Sequence, residues 1–384
     1  MEIVKKNKCT GCKMCADICP KMAIDFITDT EGFWYPVVDD NKCNKCSLCI
    51  KKCPINAMKQ LEQEPEVFAA WSRNEDVRKD STSGGIFFEL ARQWIADGGY
   101  IVGCVFSEDY KTVYHYLGRT MEDLKKIMGS KYFQSDTAGI YKKIKELLMQ
   151  GKKILFCGTP CHIAALNSYL GKKYDNLLSC DFICRGINSP KAYQSFIKEL
   201  EQQYHSNIVY VRFKDKRFGW QNLTTNVRFE NKKEYAATKA NDPWVIGYVK
   251  GNLYMRPSCY SCNFKTIPRG SDISLGDFWG GQGFSEKNYH DGISVVLINS
   301  KKARFYFDNI SSIEKNNRLL EDVLPFNPCL LQSAVKNVYR SDFFKAIDHM
   351  TFSKAVRKYT GRKGIKHYIG ALRRKLLKKN EESN

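Results

Sequence analysis

Residues 9–20 read CTGCKMCADICP and residues 43–54 read CNKCSLCIKKCP. Both spell C-x2-C-x2-C-x3-C-P, the spacing that holds four-iron clusters in pairs. Three cysteines two residues apart wrap a tight loop around one face of a cubane. The fourth leaves on another heading and reaches the neighbouring cluster. Cluster one is therefore assigned to Cys9, Cys12, Cys15 and Cys53, and cluster two to Cys43, Cys46, Cys49 and Cys19. Pro20 and Pro54 end each run and fix the chain direction after the last ligand. Structural zinc fits less well, because zinc takes one four-ligand set with longer separations between its pairs.

Eight of the sixteen cysteines remain. Cys259 and Cys262 form a C-x2-C that suits a redox dithiol, half a metal site or coincidence. Cys161 opens a helix, where the dipole favours a thiolate, ligand or nucleophile alike. Cys184 ends a strand. Drawn together, these four would complete one more cubane. The alternative is that Cys161 and Cys184 are small buried hydrophobes, a common fate of free cysteine. Cys157 and Cys180 each lie four residues before one of this set and either compete as ligands or are buried strand residues. Cys104 and Cys329 have no assigned role.

Two places suit an anion. Ser81-Thr82-Ser83-Gly84-Gly85 precedes a helix, and glycines let backbone approach a phosphate at a helix N-terminus. A plain Ser/Thr cap explains the same residues. Gly158 and Thr159 form a second strand–turn–helix junction. Lys131 either pairs with a phosphate or is a solvated surface lysine. His162 either contacts substrate or is a satisfied helix residue, and for Asp277 the plain reading is the end of a strand. No G-x-G-x-x-G and no Walker A run is present, so the common dinucleotide folds are not indicated. No nucleophile–base pair can be assigned.

The elements that must position these residues follow from periodicity. AIDFITD and FWYPVVDD bracket Thr30-Glu31-Gly32 as strand–turn–strand within a module spanning 1–60. The polar run 61–66, with Pro65, reads as a linker. Ile86, Phe87, Leu90, Ala91, Trp94 and Ile95 mark one helix face, and Ile140, Ile144, Leu147 and Leu148 another. Ser189-Pro190 caps a third helix. Residues 100–106, 153–157 and 176–184 read as strands. Three alternating segments between 208 and 238 read as antiparallel strands. DISLGDFWG and ISVVLINS add two more. The fold class is mixed α/β (α+β): a ferredoxin-like two-cluster module, then a larger mixed-sheet domain over 67–335. Residues 350–384 read as a basic helical extension.

The chain has 384 residues and a net charge of +20. Eleven Lys/Arg and no acid lie between Thr351 and Asn380. No nucleic-acid reader motif accompanies this charge, so nucleic acid is not an expected partner. The tail could instead meet an anionic membrane surface peripherally. No run is long and apolar enough to span a membrane, and the first residues lack a secretory h-region. A cytoplasmic, reducing location is expected.

SGGIFFEL, GSKYFQS, GTPCH, CRG-INSPKAY, RPSCYSC and DISLGDFWG, in this order, resemble the beta subunit of coenzyme F420 hydrogenases and dehydrogenases. The resemblance covers 67 to about 335, and a ferredoxin module in front is usual in that family. It implies FAD and a third [4Fe–4S] cluster in the larger domain. By matching motifs it implies Cys161, Cys184, Cys259 and Cys262 as ligands of that cluster. It implies Ser83, Gly84 and Gly85 at the flavin; Lys131, Gly158 and Thr159 are further candidate contacts on their own chemistry. Arg185 departs from the His common there.

The expected function is an iron–sulfur flavoprotein oxidoreductase. A flavin takes a hydride and releases electrons singly, whereas clusters pass one electron at a time. The resemblance implies coenzyme F420 as hydride carrier and a ferredoxin or other redox protein as partner. Two alternatives stand beside this. One is a ferredoxin-fed reductase of a metabolite or sugar-like intermediate. The other is an electron-transfer subunit without catalysis.

Overall fold

The alternating segments of the module's spacer form a hairpin, β1 (Ile24–Thr28) against β2 (Trp34–Val38). Its tip rests on the rest of the chain. Gly32 sits at φ +83°, and a Cβ there would lie 2.6 Å from Lys191 Cβ and 2.7 Å from the Lys191 nitrogen. Backbone approach therefore selects glycine at this turn. This computed structural model describes residues 1–57, 64–281 and 283–361. Part of the linker segment 61–66 thus lies outside the described residues.

The body is built from β3 (Glu66–Ser72), β4 (Tyr100–Phe106), β5 (Val113–Gly118), β6 (Ile154–Gly158), β7 (Leu177–Phe182), β8 (Ile208–Asp215), β9 (Thr224–Phe229), β10 (Glu234–Ala237), β11 (Ile273–Asp277), β12 (Ser294–Ile298) and β13 (Ile313–Arg318). Eight strands form one sheet in the order β13-β3-β12-β11-β7-β6-β4-β5. Its centre, β4-β6-β7-β11, is parallel. Both flanks are antiparallel. β8, β9 and β10 form a separate three-stranded sheet.

The amphipathic segments become the helices Ile86–Ala96, Ile140–Met149, Pro160–Leu170 and Pro190–Tyr204. Ile86, Leu90, Ala91 and Trp94 bury their face against the sheet. Thr159 and Ser189 cap two of these helices through side-chain oxygens that accept from His162 N and Ala192 N, with proline next in the chain.

One expectation is corrected. The stretch read as the start of a basic extension contains the helix Phe352–Thr360, and this helix belongs to the core. Phe352, Ala355, Val356 and Tyr359 are buried in the same cluster as Trp244 and Tyr254. Lys354, Arg357 and Lys358 take the exposed face. Charge density alone hid an amphipathic helix. The apolar stripe expected from Ile365 to Leu376 lies outside the described residues. Among the described residues no helix is long and apolar enough to cross a membrane.

Candidate functional site

The two cysteine runs wind alike. Gly11 and Lys13 in the first, and Lys45 and Ser47 in the second, all have left-handed backbone near φ +60° to +70°. Each pair turns the loop around a small cavity. One cavity is walled by Cys9, Cys12, Cys15 and Cys53. The other is walled by Cys19, Cys43, Cys46 and Cys49. The cysteines lining each cavity are the four that the crossed assignment from spacing groups together. Gly11 carries a further constraint: a Cβ there would meet the side chains of Gln134 and Arg256 at 2.1 and 2.7 Å.

A third cavity gathers Cys161, Cys184, Cys259 and Cys262 from a helix N-terminus, a strand end and a short 3-10 turn. Thr159 Oγ1 lies 3.0 Å from Cys161 Sγ. Ile187 N donates to Cys259 Sγ at 3.3 Å. A fifth thiol, Cys329, lines the same cavity. Lys265 Nζ donates to the carbonyls of both Cys184 and Cys329, at 2.6 and 2.8 Å. Cys329 lies 67 residues beyond Cys262, so spacing gave no signal for it.

Burial pushes the thiols of Cys12 and Cys184 up to about 12, and that of Cys259 to about 11. Cys161 is raised well above its ordinary value for the same reason. Such thiols stay protonated unless a metal takes the proton's place. Among the described residues no three of these side chains converge on a single-ion site. The thiols of each set ring a cavity.

A large cavity, about 590 Å³, opens at the carboxyl ends of β6, β7 and β11 beside the middle of β4. That is where open α/β sheets bind ligands. Ser83, Gly85, Lys131, Gly158 and Thr159 all line it. Gly85 precedes the helix Ile86–Ala96 at φ +92°, and Ser83 Oγ donates to Ile293 O at 2.9 Å. Gly84 is different. It packs against β3 and β12, where a Cβ would meet Ala70 O at 2.4 Å and Ser294 N at 2.8 Å. Its glycine is explained by backbone approach within the protein.

Lys131 also departs from expectation. Its ammonium donates to the carbonyls of Lys126, Ile127 and Met128 at 2.8, 2.8 and 3.0 Å. All three donors are committed to the C-terminus of the helix Met121–Ile127, so none is left for a phosphate. Burial lowers its pKa to about 8.

The wall residue Lys214 was not legible in sequence. Lys214 has φ +57° at a register break in β8, which turns its side chain into the cavity. Bulges re-aim side chains in this way. Lys214 Nζ pairs with Asp277 Oδ2 at 2.5 Å and lies over the Trp279 ring. His162 has both ring nitrogens without a protein partner, as do His115 Nε2 and Thr225 Oγ1. His115 Nδ1 is 2.9 Å from Ser135 Oγ, and burial lowers its pKa to about 4. Unpartnered buried polar atoms on a cavity wall suit a polar ligand. Two helix N-termini, those orphaned atoms and aromatic walls fit a flavin with a phosphate-bearing tail.

The cavities adjoin. Cys184, Arg185, Gly186, Ile187 and Cys329 line both the large cavity and the third cysteine cavity. Thr10 and Ile55 line both the third cavity and that of cluster one.

Residues 8–57 match the family model of the 4Fe-4S dicluster domain. Residues 151–317 match the family model for the C terminus of the beta subunit of coenzyme F420 hydrogenase/dehydrogenase. No curated protein matches the chain. Among solved structures, a chain in the xenon-derivatised F420-reducing [NiFe] hydrogenase complex from Methanosarcina barkeri is similar. It is 18% identical with a TM-score of 0.49, covering 78% of this chain and 91% of that one.

Proposed function

We propose that this chain, which joins a four-iron dicluster module to a region like the beta subunit of coenzyme F420 hydrogenase/dehydrogenase, is an iron–sulfur flavoprotein oxidoreductase. It exchanges a hydride with a deazaflavin of the coenzyme F420 type and passes single electrons to an external redox protein. The observation that carries this reading is the run of adjoining cavities. It leads from the large cavity, through the walls of Cys184 and Cys329, to the third cysteine set. From there Thr10 and Ile55 lead to cluster one, and the crossed ligands Cys19 and Cys53 tie cluster one to cluster two. Cys46 is exposed, which makes cluster two the outlet.

FAD bound in the large cavity would supply the step between two-electron and one-electron chemistry. The chain's own residues bind and insulate. Backbone at Ser83 and Gly85 and the helix N-terminus at Thr159 receive phosphate oxygens. His162, held neutral by burial, offers a hydrogen bond at the cavity wall without adding charge. The Lys214–Asp277 pair presents a fixed dipole beside Trp279. Cys161, Cys184, Cys259 and Cys262 hold the cluster nearest the flavin.

The test is anaerobic reduction of coenzyme F420 by the purified protein with an artificial one-electron donor. Loss of the deazaflavin absorbance is expected, and Lys214→Met should slow it. No change in that absorbance, with full iron and flavin in the protein, would favour the ferredoxin-fed reductase of another metabolite.

A further inference from the structure

Arg256 stands between the loops of two cysteine sets and has no exposed surface. Its Nε donates to the carbonyl of Cys9 at 2.7 Å. Its Nη1 donates to Gln134 Oε1 at 2.7 Å, and its Nη2 to Trp34 O at 2.9 Å. The guanidinium lies over the Tyr35 ring, 4.4 Å from its centroid. On the other side, the carbonyl of Arg256 accepts from Cys259 N at 2.9 Å. One residue thus holds a ligand of cluster one through its side chain and a ligand of the third set through its backbone.

Arg269 and Arg340, buried almost as deeply, each hold a carboxylate, Asp181 and Glu31 respectively. Among the described residues no carboxylate pairs with Arg256. The buried Arg78 and Lys216 also lack a carboxylate partner among the described residues, but Arg256 differs from them in standing against the loops of two cysteine sets. The partners of its guanidinium are two carbonyls, an amide and aromatic faces. A buried cation without a counter-charge is strongly unfavourable, so a negative group is to be sought beside it. A four-iron cluster held by four thiolates is such a group, and Arg256 adjoins the ligand loops of two of them.

We propose that Arg256 is the buried counter-ion shared by cluster one and the third cluster, and a positioning residue that fixes one against the other. The proposal rests on the three-cluster reading above. Its positive charge favours the reduced, more negative state of both clusters and has little effect on cluster two, whose ligand loop it does not touch. The fork also keeps the module's first run seated on the body, so that the two adjacent clusters keep one separation.

The experiment uses the full-length holoprotein with Arg256→Gln and Arg256→Lys, prepared anaerobically. Iron and sulfide content is measured first, and that of the wild type tests the three-cluster reading independently. Potentiometric titration followed by electron paramagnetic resonance then reads each cluster. In R256Q the reduced-to-oxidised ratio of cluster one and of the Cys161–Cys262 cluster at a fixed ambient potential should fall about tenfold, while cluster two titrates as in wild type. R256K should restore most of that ratio. Unchanged titration of all three clusters in fully loaded R256Q would overturn the proposal, as would an equal shift of all three. Should R256Q fail to hold iron, R256K decides. Loaded R256K with near-wild-type titration supports the counter-ion role. Loss of iron in R256K as well would show that geometry, not charge, is what Arg256 supplies.

Discussion

Burial raises the thiols of Cys12, Cys161, Cys184 and Cys259 above their ordinary value, so a cluster bound there would have to displace their protons. Five thiols meet at the third cavity, where a cubane needs four. Cys161, Cys184, Cys259 and Cys262 are the four proposed as ligands, whereas Cys329 sits in a separate turn. Cys184→Ser should therefore lower iron by about a third in a three-cluster protein, and Cys329→Ser should leave it unchanged. Equal losses would make Cys329 a ligand. Lys131 gives a pH signature. Its folded pKa is near 8, below its ordinary 10.5, so the fold holds fewer protons than the unfolded chain between those values. The cost of its buried charge is fully present below pH 8 and is relieved as pH rises from 8 to 10.5. The stability of wild type relative to Lys131→Met, read from thermal midpoints, should rise across that window and be flat below it. A flat difference throughout would mean that Lys131 titrates normally.

At the scale of elements, much was legible because period and position agreed. The twin cysteine runs, the helix faces at Ile86 and Ile140, and the Ser189-Pro190 cap all appear where local chemistry puts them. What sequence hid was context. VFAAW, the centre of β3, is an unbroken apolar run, which alternation cannot flag when both faces are covered. β13, IEKNNR, is an edge strand with too little apolar content to read as one. Lys214 needed the register break in β8, and Gly84 needed its strand neighbours. The helix Phe352–Thr360 was masked by the charge around it. Its burial predicts that Phe352→Ala costs about 3–5 kcal/mol, measured by chemical denaturation of the holoprotein. Truncation after Gly361 should be tolerated, whereas truncation after Met350 should not. A chain ending at 350 that unfolds like wild type would return this helix to the status of an appendage.

For the whole molecule, the claim is that one continuous path joins a flavin cavity at the sheet's carboxyl edge to an exposed cluster in the N-terminal module. The module is tied to the body by buried and part-buried polar contacts. Arg340 grips Glu31 through two hydrogen bonds, Thr137 Oγ1 donates to Cys12 O at 2.7 Å, and Lys13 pairs with Asp136 at 2.7 Å. Such contacts hold the cavities in register, which a wire of single-electron centres requires. The most direct measurement is the anaerobic count of iron, acid-labile sulfide and flavin in the purified full-length chain. The account predicts about twelve iron atoms, about as many sulfides and about one flavin per chain. About eight irons with no flavin would leave only the dicluster module and contradict the path.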